Sequence, residues 1–378
     1  MKTVLVTGAG GFIGKNLCAQ LTTDKEIELL RFDRDSTEDN LREYIKNADI
    51  VFHLAGVNRP LDEKDFDTGN RELTERILSM IKESDRQIPV VITSSIQAEK
   101  DNAYGKSKKA AEELVFNFGK GTNTPVFVYR LPNVFGKWCK PNYNSVVATF
   151  CNNIATGLPV VVNDPSTELT LVYIDDVIRE FVDVMNGHAS VHDDGYSYVK
   201  KTFKTTLGQL KQDIEELGES RTTLVMPNLD SEYSRDLYAT YISYFAEDNF
   251  SYALKTNTDD RGWLAEFIKS RQFGQIFVSK TKPGISRGNH WHNTKIEKFL
   301  VVDGKAEIAF RKMDASNAEI IRYQVSGDKL TVLDIPTGYA HSIKNIGDTD
   351  LTTIFWADEI LNPERPDTIY ENVEEKQE

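Results

Sequence analysis

The apolar positions of this chain change period along its length. Val4-Leu5-Val6 is an unbroken apolar run, the pattern of a strand buried in a parallel sheet. Phe12, Ile13, Leu17 and Leu21 then recur at helical spacing. The same exchange repeats: apolar strands over 27–32, 49–55 and 90–95, and a helix opening at Tyr104 and carried on by Ala110, Ala111, Leu114 and Val115. Such an alternation predicts an α/β fold of the doubly wound, Rossmann type, with helices covering a parallel sheet. Residues 185–199 read as loop and 207–217 as an amphipathic helix. Residues 231–246, with Leu237, Tyr241, Ile242 and Phe245, form the last helical piece. From Phe250 the helical period disappears. Short β-branched and aromatic runs take over at 275–280, 297–302, 306–311, 320–325, 329–335 and 351–356, which predicts an all-β barrel or jelly roll. Residues 358–378 are acidic and contain Pro363 and Pro366, the pattern of a terminal strand followed by a frayed tail.

Length agrees with this division. At 378 residues the chain exceeds the usual size of one domain, and we expect one domain over 1–245 and a second over 246–378. A net charge of -13 argues against nucleic acid and anionic membrane surfaces as partners, so an anionic ligand must be met by local basic side chains or backbone N–H groups. The three cysteines, Cys18, Cys139 and Cys151, are scattered and odd in number, which suits a reducing compartment. No signal-like segment precedes the first strand and no apolar run has the length of a membrane span, so a cytoplasmic location is expected.

Candidate chemistry begins directly after the first strand. Gly8, Gly11 and Gly14 stand at G-x-x-G-x-x-G spacing: the first allows the tight turn, the second lets backbone N–H groups approach a pyrophosphate, and the third lets the helix lie close on the sheet. Asp33 and Arg34 follow the second strand; an acid there binds ribose hydroxyls and an arginine favours a 2′-phosphate, so NAD and NADP both stay open. His53, alone in an apolar strand, reads as a packed or bracing residue. Small residues end that strand at Leu54-Ala55-Gly56, where cofactors lie in open α/β sheets. Hydroxyls end the next, at Ser94 and Ser95. Tyr104 and Lys108 are i and i+4 on one helical face, a spacing at which an ammonium lowers a phenol's pKa so that it can pass a proton to or from a carbinol oxygen.

Taken together, residues 1 to about 245 resemble the extended short-chain dehydrogenase/reductases that work on nucleotide sugars. The resemblance implies a cofactor site of Gly8, Gly11, Phe12, Ile13, Gly14, Asp33, Arg34, Leu54, Ala55, Gly56, Asn70 and Lys108. It implies Ser95 (or Ser94), Tyr104 and Lys108 as the catalytic set. Arg130-Leu131-Pro132-Asn133-Val134-Phe135-Gly136 resembles the segment leading into the family's sugar pocket, and Val172-Tyr173-Ile174-Asp175-Asp176-Val177 resembles its later V-D-D-V signature. Two features depart from the pattern. Only eight residues separate Ser95 from Tyr104, and no basic residue stands in Glu168-Leu169-Thr170-Leu171, where relatives often carry one. Asn133 and Lys137 are the candidate substrate residues here.

The second half carries the chain's most specific cluster. His290 and His292 point to one face of a strand, Glu297 follows, and His341 lies downstream after Pro336-Thr337-Gly338-Tyr339-Ala340. Three imidazoles and a carboxylate make a ligand set for a divalent metal such as zinc, iron or manganese. The spacings resemble both cupin motifs, although eight residues, instead of five, separate Gly327 from Pro336. The segments around Arg261 and Arg287 resemble those of cupins that epimerise nucleotide-linked 4-keto-6-deoxyhexoses at C3, which makes these arginines candidates for holding a diphosphate. A reductase and an epimerase-like cupin on one chain resemble a family of bifunctional capsule-biosynthesis enzymes. That likeness implies a UDP-linked 4-keto-6-deoxy amino sugar as substrate, NADPH (with NADH open) and a divalent metal, zinc foremost, as cofactors, and a homodimer as assembly. A 4-epimerase with tightly held NAD, or a cupin that only braces or dimerises the reductase, stays open on the sequence alone.

Overall fold

The computed structural model describes residues 1–58, 66–313, 319–364 and 366–374. The chain forms two compact units, one of Met1–Glu215 with Arg235–Phe245, the other of Glu216–Ser234 with Ala246–Glu378. Residues 216–234 join the second unit through backbone pairing: Lys269 N donates to Leu224 O and Met226 N to Lys269 O, both at 2.7 Å.

In the first unit, strands β1 (Lys2–Thr7), β2 (Ile27–Phe32), β3 (Ile50–His53), β4 (Val90–Ser95) and β5 (Val126–Leu131) form a parallel sheet of order β2-β1-β3-β4-β5. The strand order reverses at β1, and that switch point is where open α/β sheets take ligands. The unbroken apolar runs follow from burial on both faces. Val4, Val6, Phe52 and Val91 pack with Leu17 and Leu21 of helix α1 (Phe12–Leu21), whereas Leu5, Val51, Val90 and Ile92 face the other way. On that side they meet Leu41 and Ile45 of α2 (Glu38–Asn47), Ile77 and Ile81 of α3 (Leu73–Glu83), and Ala111 and Val115 of α4 (Ala103–Thr122). Each fully buried side chain of this size contributes about 1.5–3 kcal/mol. α2 has too few apolar positions to stand out by period; it starts at a capping box in which Thr37 and Asn40 bond each other's backbone N–H. Beyond the main sheet come β6 (Asn133–Phe135), α5 (Val146–Ala155), β7 (Glu168–Tyr173), α6 (Ile174–Met185), β8 (Phe203–Thr206), α7 (Leu207–Thr223) and α8 (Glu232–Ile242), with β6, β7 and β8 in a small sheet.

The second unit is all β. β9 (Thr256–Asp259), β10 (Gly262–Ser270), β11 (Gly274–Thr281), β13 (Glu297–Asp303), β16 (Val332–Ile335) and β18 (Leu351–Ala357) form one antiparallel sheet, in order β16-β13-β18-β11-β10-β9. β12 (Ser286–Trp291), β14 (Lys305–Lys312), β15 (Ile321–Ser326), β17 (Tyr339–Asn345) and β19 (Ile369–Tyr370) form the other, in order β15-β14-β17-β12-β19. The two inner faces interdigitate at Phe299, Val301, Leu333, Ile335 and Phe355 from one sheet and Ile308, Phe310 and Ile343 from the other. This is the jelly-roll architecture of a cupin. Each of the six predicted runs contains a strand, the run over 329–335 only at Val332–Ile335, and β19 is the predicted terminal strand, reduced to two residues. Residues 375–378 of the predicted tail lie outside the described residues.

Candidate active site and metal centre

The glycine turn is built for close approach. Gly8 has φ +68°, and a Cβ on it would sit 2.7 Å from the backbone of Ala55, at the end of β3. A Cβ on Gly14 would run into the Gly8 carbonyl oxygen, so the first turn of α1 can lie on the β1 loop only with glycine there. The N-terminus of α1, with Phe12 and Ile13 in its first turn, therefore faces the crevice at the carboxyl end of β1, a cradle suited to a pyrophosphate. Asp33, just beyond β2, accepts a hydrogen bond from Gly10 N and another from Arg34 N at 2.8 Å; the Arg34 side chain is exposed.

Leu54-Ala55-Gly56 continues from β3 and is clamped by Asn70, which lies in a π-helical stretch, Asp67–Glu72. Asn70 Oδ1 accepts from Val57 N at 2.9 Å, and its Nδ2 reaches Val57 O at 3.0 Å and Ser107 Oγ at 3.1 Å. His53 is a brace between Thr7 Oγ1 at 2.8 Å and Thr74 Oγ1 at 2.9 Å. Burial, reinforced by the charge of Lys108, lowers its pKa to about 3, so it stays neutral.

Asn102 caps α4 by accepting from Gly105 N at 2.7 Å, which sets Tyr104 and Lys108 on the face turned toward β4. Lys108 Nζ donates to Thr93 O at 3.2 Å. A Cβ on Gly56 would lie 3.2 Å from that same Nζ, so the ammonium sits between β4 and the loop after β3. Burial lowers the Lys108 pKa to about 8, against the opposing pull of the Glu112 carboxylate one turn on. The Tyr104 phenol is raised by burial, lowered by a hydrogen bond with Ser95, and raised again by Tyr143 nearby. The two serines ending β4 reach different turns of α4. Ser95 meets Tyr104, whereas Ser94 donates to Glu112 Oε1 at 2.5 Å. Glu112, 1% exposed, is also held by Arg130 through Nε at 3.0 Å and Nη2 at 2.8 Å, with Tyr196 Oη at 3.0 Å. Glu112 escaped the sequence reading, although it continues the Tyr104–Lys108 face by one more turn.

The proposed substrate segment is tied to the same unit. Asn133 Nδ2 donates to Thr170 O at 3.2 Å. Lys137 pairs with Asp175 at 2.7 Å, and its carbonyl accepts from Asn16 of α1 at 3.3 Å. Its charge is thus already met by a carboxylate in this structure.

In the second unit the four predicted ligands converge. His290 and His292 come from the end of β12, Glu297 opens β13, and His341 lies on β17 opposite His290. A bulge at Asn289, whose φ is +57°, sets that register. One potential ligand atom from each lies within 4.8 Å of all the others. Glu297 Oε2 is 3.2 Å from His292 Nε2 and 3.3 Å from His341 Nε2. These match about 3.3 Å, the edge of a tetrahedron whose metal–ligand bonds are about 2.0–2.1 Å. All three atoms are buried without a hydrogen-bond partner, a deficit that one cation would remove. The residues therefore fit a divalent metal. Burial, with His341 adding to it, lowers the His290 pKa to about 4, which keeps that imidazole free of its proton. Outer partners fix the rings: His292 Nδ1 donates to the Asp367 carbonyl, and His341 Nδ1 to Tyr339 O at 3.3 Å, leaving each Nε2 aimed inward. Phe310, the register partner of His341, lines a cavity of about 380 Å³ together with Leu333, Pro336 and Tyr339.

Arg261 pairs with Asp259, and Arg287 donates to Thr281 Oγ1 at 2.9 Å and Lys280 O at 3.3 Å. Burial lowers the Arg287 pKa, and the positive charge of Arg261 lowers it further. The Tyr370 ring centroid lies 6.4 Å from that of His290.

Comparison with known proteins bears on both units. Residues 4–197 match the model of the NAD dependent epimerase/dehydratase family, and residues 257–369 that of the polysaccharide biosynthesis C-terminal domain. Over 97% of its length and 97% of the relative's, the chain is 43% identical to a UDP-2-acetamido-2,6-beta-L-arabino-hexul-4-ose reductase from Pseudomonas aeruginosa. The crystal structure of the capsular polysaccharide assembling protein CapF from Staphylococcus aureus superposes with a TM-score of 0.92 at 45% identity, covering 98% of this chain and 100% of that one. A UDP-glucuronic acid 4-epimerase from Bacillus cereus, 17% identical over 64% of this chain and 98% of its own, shares the fold alone, with a TM-score of 0.52. The chain belongs to the CapF-like family of nucleotide-sugar enzymes, in which an extended short-chain dehydrogenase/reductase is fused to a cupin.

Proposed function

We propose that this chain converts a UDP-2-acetamido-2,6-dideoxy-4-hexulose in two steps on the way to UDP-N-acetyl-L-fucosamine for a capsular or surface polysaccharide. Residues 246–378 epimerise C3, and residues 1–245 then reduce the C4 ketone with NADPH. The observation that carries the reading is the presence, on one chain, of a Ser95–Tyr104–Lys108 face behind a glycine turn and a convergent His/Glu cluster inside a jelly roll. The near-full-length likeness to a reductase of such a 4-ketose supports the same assignment. Arg34 favours the 2′-phosphate of NADPH over NADH. Arg261 and Arg287 are the residues proposed to hold the diphosphate in the second unit. An isologous homodimer is the expected assembly.

When bound, nicotinamide supplies the hydride and a cation at His290, His292, Glu297 and His341, most simply zinc, supplies Lewis acidity. The protein residues handle everything else. Ser95 and Tyr104 converge on the ketone oxygen, and Tyr104 transfers its phenolic proton to that oxygen as the C–O bond becomes a carbinol. The phenol, raised by burial instead of lowered, keeps its proton at neutral pH and yields it only to the more basic alkoxide oxygen. Lys108 stabilises the phenolate left behind. In the second unit the 4-ketone acidifies the C3 proton, and positive charge near that oxygen favours the enolate through which C3 inverts.

Lys108 also gives a pH signature. Its folded pKa is depressed to about 8, so the ammonium is present below that value and lost above it. The reduction rate should therefore hold through neutrality and fall as pH rises through about 8; a flat profile to pH 10 would remove Lys108 from the electrostatic role. Stoichiometry tests the overall assignment. One NADPH consumed per ketose, with a saturated C4 alcohol as product, is expected. Turnover with no net redox change would instead mark a 4-epimerase with retained NAD.

A further inference from the structure

The metal ligands His292 and Glu297 are separated by a four-residue loop, and all four of its backbone N–H groups bond to carboxylates from a distant part of the chain. Asp367 accepts from Asn293 N at 3.0 Å, Thr294 N at 2.6 Å and Lys295 N at 2.9 Å. Asp358 takes the fourth, Ile296 N, at 3.0 Å. Asp367 further accepts from Asn293 Nδ2 at 3.2 Å and Thr294 Oγ1 at 3.0 Å, and its carbonyl receives His292 Nδ1. The following residues continue the attachment. Thr368 Oγ1 accepts from buried Lys295, β19 pairs with His290 and Trp291, and Glu371 N donates to the carbonyl of the bulge residue Asn289 at 2.9 Å. Buried Arg311 anchors the far end, bonding Glu371 at 2.7 Å, Asn372 O at 2.8 Å and Val373 O at 3.1 Å.

From this arrangement we infer that residues 367–373 form a strap that positions the metal centre, with Asp367 as its positioning residue. The inference rests on reading the His/Glu cluster as a metal site. The loop has no side-chain packing of its own at Asn293, Thr294 and Ile296, which are exposed, so its conformation depends on those carboxylates. One residue does two jobs: its carboxylate shapes the loop that sets the separation of His292 from Glu297, and its carbonyl holds the tautomer that presents His292 Nε2. Linkage makes the coupling reciprocal: a strap that raises metal affinity is itself held down by bound metal.

The test uses the full chain stripped of metal and titrated with Co²⁺ or Zn²⁺ against a chromophoric chelator. Wild type should bind one ion and His341→Ala should lose it. Asp367→Ala should bind about 10–100-fold more weakly, the range for lost outer partners of metal ligands, and should alter the Co²⁺ ligand-field spectrum. If wild type binds no ion at this site, the metal reading fails and the strap inference with it. If wild type binds and Asp367→Ala matches it in affinity and spectrum, the strap inference alone is overturned. Should Asp367→Ala not fold, hydrogen exchange on wild type decides: added metal should slow exchange across both 293–296 and 367–373, and slowing confined to 293–296 contradicts the coupling.

Discussion

Tyr104→Phe is expected to lower NADPH oxidation by about 100- to 10,000-fold, the usual worth of a positioned general acid. The ring itself should remain in place, since Phe keeps the contact with Phe66, whose centroid lies 5.9 Å away. What disappears is the proton donor. Ser95 cannot replace it, because a serine hydroxyl polarises a ketone without giving up its proton at neutral pH. The variant therefore separates folding from chemistry: cofactor should still bind, and the loss should fall in kcat and not in the Kd for NADPH. Exchange at C3 should be untouched, because the cluster that would serve it belongs to the other unit. Initial rates of NADPH oxidation beside isotope exchange on the same preparation check both halves. Loss of both activities would contradict separate sites.

Metal removal should have the complementary effect. Stripping the ion, or replacing His341 with Ala, is expected to lower C3 exchange by about 100-fold or more, since a cation beside a developing oxyanion stabilises it by several kcal/mol. His341 is fully buried against Phe299, at a centroid distance of 5.7 Å, so the substitution also leaves a cavity. Chelated wild type supplies the control free of that defect. The two preparations should agree in residual exchange, and chelation should have no further effect on His341→Ala. Reduction of a ketose already carrying the inverted C3 should proceed at the wild-type rate in both. Full exchange after exhaustive chelation would reduce the metal to a structural brace.

Much of this was legible before any coordinates. Strands buried on both faces announce themselves as unbroken apolar runs, and the glycine turn is readable because sterics allow nothing else at Gly8 and Gly14. The four cupin ligands were readable because the strand period puts His290 and His292 on one side. What stayed hidden depends on long-range pairing. Parity alone does not say which of Ser94 and Ser95 meets Tyr104; the tie of Ser94 to Glu112 leaves that contact to Ser95. Lys137 reads as a free cation until Asp175, 38 residues on, is found beside it. Asp367 gives no local signal, since the loop it holds lies 72 to 74 residues earlier. The odd spacing of Gly327 has a local account: a turn bridging Ser326 and Lys329, with Gly327 N bonded to Gly304 O at 3.1 Å, lengthens the approach to Pro336.

The central claim is that the cupin acts first, as an epimerase, and the reductase second. Mass spectrometry of the UDP-linked 4-ketose incubated with the enzyme in D2O without NADPH tests it most directly. One deuterium at C3, absent when Glu297 or His341 is replaced, is the predicted result. An unlabelled ketose, alongside undiminished NADPH turnover when the cofactor is restored, would contradict the two-step account and leave a single-step reductase.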